Sequence, residues 1–136
     1  MKKIEVKIAL DPVNDGAEIT EIKLMRKNEG ALIIGTNGDS RTVDAIEANS
    51  ILEKLSAVGH GEYLGSSNYI AMFNGDKIIN FGTGKCFIGS AIILKYANER
   101  LSLLSGEDFQ EAAKEFESRL ITIIGDGQEF SALELD

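Results

Sequence analysis

Apolar and polar residues alternate from the start of the chain. Ile4, Val6, Ile8 and Leu10 fall on one side and Lys3, Glu5 and Lys7 on the other, which predicts a half-buried strand. Asp11-Pro12-Val13-Asn14-Asp15-Gly16 reads as a loop, since Pro12 and Gly16 both break regular structure. Two further strands are expected over Ala17–Arg26 and Ala31–Gly35, split by the polar turn Lys27–Gly30. Gly35–Ser40 reads as a turn that feeds a helix. Ala45, Ala48, Leu52, Leu55 and Val58 follow helical spacing, with Gly59 as the expected C-cap. His60–Asn68 reads as a connection rich in glycine and serine. Tyr69–Phe73 and Lys77–Phe81 form an expected hairpin around Asn74-Gly75-Asp76, with Ile70, Met72, Ile79 and Phe81 on one face.

The last fifty residues carry the firmest signals. Cys86-Phe87-Ile88 reads as a short strand. For residues 89–100 the run Ala91-Ile92-Ile93-Leu94 fits a buried strand or a buried helix. The Gly89-Ser90 opening and the tail Lys95–Arg100 favour the helix. Ser105 and Asp108 stand at capping-box spacing, and Leu104 and Phe109 at that of a hydrophobic staple. Phe109, Ala112, Ala113, Phe116 and Leu120 then recur on one helical face. Asp126-Gly127 turns Leu120–Gly125 back against Gln128–Leu135, with Ile121, Ile123, Phe130 and Ala132 on a shared apolar face.

The chain has 136 residues, of which 43% are apolar, which points to one domain over residues 1–136 with an ordinary core. No run reaches the ~18 apolar residues of a membrane span, and Glu5 and Lys7 interrupt any leader-like apolar stretch. No membrane partner is therefore expected. Cys86 is the only cysteine, which suits a reducing, cytoplasmic compartment. Net charge is −8 and unevenly placed: residues 1–42 balance, residues 43–95 carry −1 and residues 96–136 carry −7. Such a chain repels nucleic-acid phosphates, so no nucleic-acid partner is expected. The acidic end reads as a solvated helix face, with a docking face for a basic partner as the functional counterpart.

Several chemistries fail on spacing. Gly82-Thr83-Gly84-Lys85-Cys86 imitates the end of a P-loop, but Ile79 stands where its first glycine belongs and Cys86 where Ser or Thr would hold magnesium. Asp11–Gly16 imitates a calcium loop, but Val13 and Ile22 occupy ligand positions. One histidine (His60) and one cysteine make no zinc site, and a Cys86–His60 dyad needs an exposed thiol rather than one in an apolar strand. No cofactor or metal is expected.

The element order is strand hairpins, helix, strand hairpin, short strand, two helices and a last hairpin. With Ile33-Ile34-Gly35-Thr36-Asn37-Gly38 before a helix, Ile88-Gly89-Ser90, Leu104-Ser105, Phe130 and Leu133-Glu134-Leu135, this order resembles the proteasome β-type subunits. The nearest type is the HslV-type peptidase subunit. The resemblance implies an α+β fold: a four-layer αββα sandwich of the N-terminal-nucleophile hydrolases. By the same resemblance, Lys23 stands for the lysine that tunes the nucleophile, Gly35 or Gly38 for an oxyanion N–H, Ser90 for the serine after glycine and Asp11 for an aspartate. A helix N-cap would equally explain Ser90. The family's N-terminal threonine is absent: the chain starts Met1-Lys2-Lys3, and the first hydroxyl residue is Thr20. The expected role is therefore non-catalytic, a proteasome-like subunit acting through homo-oligomerisation or a protein partner. The alternatives are a residual amidohydrolase or peptidase with an atypical nucleophile, and an acidic inhibitor or nucleic-acid mimic. Ile92, Ile93, Leu94 and Tyr96, spread around a helix, supply the motive for self-association.

Overall fold

A computed structural model describes residues 29–65 and 68–136. Strand accounts for 55% of them and helix for 24%. The chain runs β1 (Glu29–Gly35), β2 (Ser40–Val43), α1 (Ala45–Leu55), β3 (Gly59–Leu64) and β4 (Tyr69–Asn74), then through one 3-10 turn (Gly75–Lys77). It continues with β5 (Ile78–Phe81), β6 (Gly84–Phe87), β7 (Ser90–Ala97), β8 (Arg100–Ser102), β9 (Leu104–Ser105), α2 (Asp108–Ser118), β10 (Leu120–Gly125) and β11 (Gln128–Leu135). All strand pairs are antiparallel.

The strands form two sheets. The larger has the order β2-β1-β7-β4-β3, with β8 added to β7 and β9 to β1; the smaller has the order β10-β11-β6-β5. The larger sheet is covered on both faces. Ala31, Ile70, Ile92 and Leu94 pack against Ala45 and Ala48 of α1. Leu32, Ile34, Tyr69, Ala71, Phe73, Ala91 and Ile93 face the other way, onto Phe87, Leu133 and Leu135 of the smaller sheet and Ala112 and Phe116 of α2. Phe73 and Phe87 join the sheets by stacking, with ring centroids 4.0 Å apart.

This arrangement overturns the four-layer αββα sandwich. Among the described residues there are two α-helices, one on each side of the larger sheet, and the smaller sheet's far face has no helix layer. The decisive difference lies at residues 90–97, where a helix was expected and the central strand β7 stands. A strand buried on both faces reads as a continuous apolar run, so Ala91–Leu94 lacks the alternation that would mark it. Ile92, Ile93 and Leu94 are all buried, which removes the surface that suggested self-association through this segment.

Other elements shift for local reasons. The stretch expected as a connection, 60–64, is β3, whose glycines hide its strand character. The helix stops at Leu55, and Gly59 opens β3 instead of capping α1. A Cβ on Gly59 would lie 2.7 Å from Leu55 O, so this tight corner needs glycine. The expected hairpin at Asn74–Asp76 is a crossover: β4 pairs in the larger sheet and β5 in the smaller. Ile70 and Met72 pack under α1, whereas Ile79 is exposed, so the expected common face does not exist.

The C-terminal helix forms, but not with the expected cap: Ser105 lies in β9, the N-cap of α2 is Glu107, and no side chain caps the helix, although the Asp108 side chain accepts from Ser105 N–H at 3.0 Å. Leu104 and Phe109 belong to the same core cluster. Asp126 (φ 52°) and Gly127 (φ 76°) make the left-handed two-residue turn of the β10–β11 hairpin. Ile121 pairs with Ala132 and Ile123 with Phe130 as expected. The core, however, takes the opposite face through Leu120 and Leu133. The segments over 4–10, 11–16 and 17–26, and Lys23, Asp11 and Thr20 within or beside them, lie outside the described residues.

Candidate functional site

Two of the family-like candidates do come together. Gly35 at the end of β1 is the register partner of Ser90 at the start of β7. Thr36 N–H donates to Gly89 O (2.9 Å), and Gly89 N–H donates to Thr36 Oγ1 (3.1 Å). These reciprocal bonds clasp the β1–β2 turn to the β6–β7 turn, and Thr36 is buried in doing so.

The clasp uses up the donors that an oxyanion site would need. Gly35 N–H donates to Asp39 O at 2.8 Å, and Gly38 N–H donates to Gly35 O at 3.0 Å. Asn37 Oδ1 accepts from Asp39 N–H, completing the turn. Gly38 has φ 99° and Gly89 φ 151°, values that explain the glycines by backbone geometry alone. Ser90 is exposed at the start of a strand rather than capping a helix. No base among the described residues hydrogen-bonds its hydroxyl. The Gly35–Gly38 and Ile88–Ser90 motifs are therefore turn chemistry.

The dyad fares no better. His60 stacks obliquely on Phe73 with centroids 5.3 Å apart, and its Nε2 lies 3.4 Å from Glu62 Oε1. Cys86 sits in the smaller sheet between its register partners Ile79 and Glu134. Burial pushes its thiol pKa up, away from the thiolate that a nucleophile needs. Gly82-Thr83 is the two-residue turn between β5 and β6, with Gly82 at φ 51°. No group of three or more His, Cys, Asp or Glu side chains among the described residues is placed to hold a metal ion.

Comparison with family models, curated proteins and solved structures found no match, and nothing in them bears on a relationship to proteasome subunits. No helix among the described residues is long and apolar enough to cross a membrane.

Two polar clusters stand out in the structure, and both are structural. Arg119 donates to Glu62 Oε2 (3.0 Å), Tyr63 O (2.7 Å) and Glu134 O (2.8 Å), and Asp136 N–H also donates to Glu62 (2.8 Å). This ties β3 of the larger sheet to both ends of the β10–β11 hairpin. Tyr69 OH lies 2.6 Å from Glu111 Oε1 and 2.9 Å from Asp108 Oδ1, so its one hydrogen serves two carboxylates. Desolvation by burial, then the two carboxylates, push the Tyr69 pKa up.

The surface feature that no core explains is β10. Leu120-Ile121-Thr122-Ile123-Ile124-Gly125 carries no charge and no proline, and it forms one edge of the smaller sheet. The other edges are blunted. β2 carries Arg41, β3 carries His60 and Glu62 among glycines, and β5 is short and follows Lys77. Ile124 is 72% exposed, and Phe130 on the adjoining strand 41%. The expected shared face of Ile121, Ile123, Phe130 and Ala132 is only partly enclosed: Ala132 is buried, Ile121 and Ile123 are half-buried and Phe130 is exposed. The signal available was the unbroken apolar run itself, longer than half-burial requires.

Proposed function

We propose that this chain is a non-catalytic domain that acts by self-assembly, with β10 as the pairing edge, in a reducing cytoplasmic setting. The observation that carries the reading is the uncharged, strongly β-forming edge Leu120–Gly125 with its backbone groups unpaired on one side among the described residues. Natural proteins protect such edges unless another strand fills them. Two copies pairing β10 antiparallel about Thr122 would set Ile124 against Leu120 of the partner and Ile121 against Ile123 of the partner. The closed two-fold arrangement uses the same patch on each copy and leaves no new edge. Repulsion between the acidic ends disfavours face-to-face contact of α2, so the Glu107–Glu111–Glu115 face stays outside the contact.

Sedimentation over a range of protein and salt concentrations tests this. The expected result is a dimer that weakens little as salt rises. Ile124→Lys puts a charge on an exposed position of the edge and is expected to give a monomer of unchanged stability. A wild-type chain that stays monomeric at high micromolar concentration overturns the proposal.

A further inference from the structure

The smaller sheet turns one face to the core and one away from it. Leu120, Leu133, Phe87 and Ile78 are register neighbours on the inner face. One residue along, the side chains alternate to the outer face: Ile121 and Ile123 of β10, Phe130 and Ala132 of β11, Cys86 of β6 and Ile79 of β5. Glu134 shares this face. Phe130 is 41% exposed and Ile79 46%. Yet Ala132 and Cys86, on the two middle strands, are 0% and 1% exposed. Neither belongs to the core on either side of the larger sheet. Both α-helices among the described residues pack on the larger sheet, so neither covers this face.

An apolar face closed at its middle and open at its margins is one half of a sandwich. The sequence holds a segment patterned for the other half. Residues 1–28 precede β1, and in them Ile4, Val6, Ile8 and Leu10 alternate with Lys3, Glu5 and Lys7. Such an alternation needs an apolar layer to lie on, and both faces of the larger sheet are already occupied. Reach is no obstacle, since at about 3.3 Å per extended residue the segment outspans the domain. Charge selects it over a second copy. Residues 1–28 carry six basic and five acidic groups, whereas residues 96–136, which supply β10 and β11, carry −7 and would meet the same charge in a second copy.

We infer that the outer face of the smaller sheet is the docking surface of the chain's own N-terminal segment, with the apolar side of Ile4–Leu10 laid over Cys86 and Ala132. The inference does not rest on the pairing edge of β10, which offers backbone groups in the plane of the sheet.

Cys86 is the only cysteine and reports the cover through its reaction with an aromatic disulfide reagent. In the full chain the thiol should react slowly, at a rate independent of protein concentration. Ile8→Asp, on the apolar side of the segment, should raise the rate at least about tenfold. Lys7→Gln, on the polar side, should leave it within about twofold. Phe130→Asp, at an exposed position of the sheet face, should raise the rate as well and speed amide exchange over residues 4–10. Amide protection of Ile92 and Ile93 in β7 should stay at the wild-type level in each variant, which separates release of the segment from unfolding. A rate unchanged by Ile8→Asp or by Phe130→Asp, or one that Lys7→Gln raises equally, overturns the inference. A wild-type rate that falls as protein concentration rises assigns the cover to a second copy and overturns it too.

Discussion

The two sheets contain similar residues in different settings. In the larger sheet β1, β4 and β7 are apolar on both faces, and every such face is covered, by α1 on one side and by α2 with the smaller sheet on the other. In the smaller sheet, β10 is just as apolar, yet its inner face meets the core only through Leu120, and Ile124 projects into solvent. An unbroken apolar run thus has two meanings. At the centre of a sheet it reports burial on both sides; at an edge it reports a surface for another strand.

The contrast is sharpest in the cost of truncating side chains. Phe116→Ala removes a ring with 0% exposure between α2 and the larger sheet and is expected to cost about 3–5 kcal/mol in urea unfolding. Ile124→Ala should stay within about 0.5 kcal/mol under the same conditions. Equal costs for the two would mean that β10 is as enclosed as the core strands.

The next largest effect concerns the bond between the regions. Arg119→Ala leaves Glu62, whose side chain is 7% exposed, without its cation and frees Glu134 O and Tyr63 O. A loss of roughly 3 kcal/mol is expected, since removing one partner strands a buried charge. Faster amide exchange should appear in β11 and β3 together. Exchange that rises in β11 alone would show that this pair does not couple the sheets.

The smallest effect belongs to the larger sheet and is read in alkali. The folded-state pKa of Tyr69 is raised above its unfolded value of about 10. Below that pH the contribution to stability is fully present. Above it the unfolded chain loses the proton first, so stability falls with rising pH by up to about 1.4 kcal/mol per unit. Tyr69→Phe should flatten that alkaline limb while lowering stability at neutral pH. A limb that keeps its slope in the variant would assign the effect to another group.

The sequence reveals elements where local chemistry suffices. Asp126-Gly127 demands a tight turn, and the Phe109–Phe116 spacing demands α2; both are found, although the helix starts after Glu107 and Ser105 does not cap it. It misleads where sheet neighbours decide. Ala91–Leu94 lost its alternation because both faces are covered. Asn74-Gly75-Asp76 has hairpin composition but turns the chain into a second sheet. The Gly35–Gly38 and Gly89-Ser90 motifs were legible as neighbours of a turn, and Gly35 and Ser90 do meet, but which N–H groups the turn would consume depends on partners such as Asp39 O and Gly89 O.

The pairing of β1 with β7 has a kinetic consequence. These strands come from distant parts of the chain, and their ladder closes only after everything between them has been made. The β3–β4, β5–β6 and β10–β11 hairpins join neighbours and need little loop closure. The long-range ladder therefore carries the larger loop-closure cost and is expected to limit the folding rate. Refolding at rising protein concentration is expected to lose yield through the uncharged edge of β10, and Ile124→Lys to restore it.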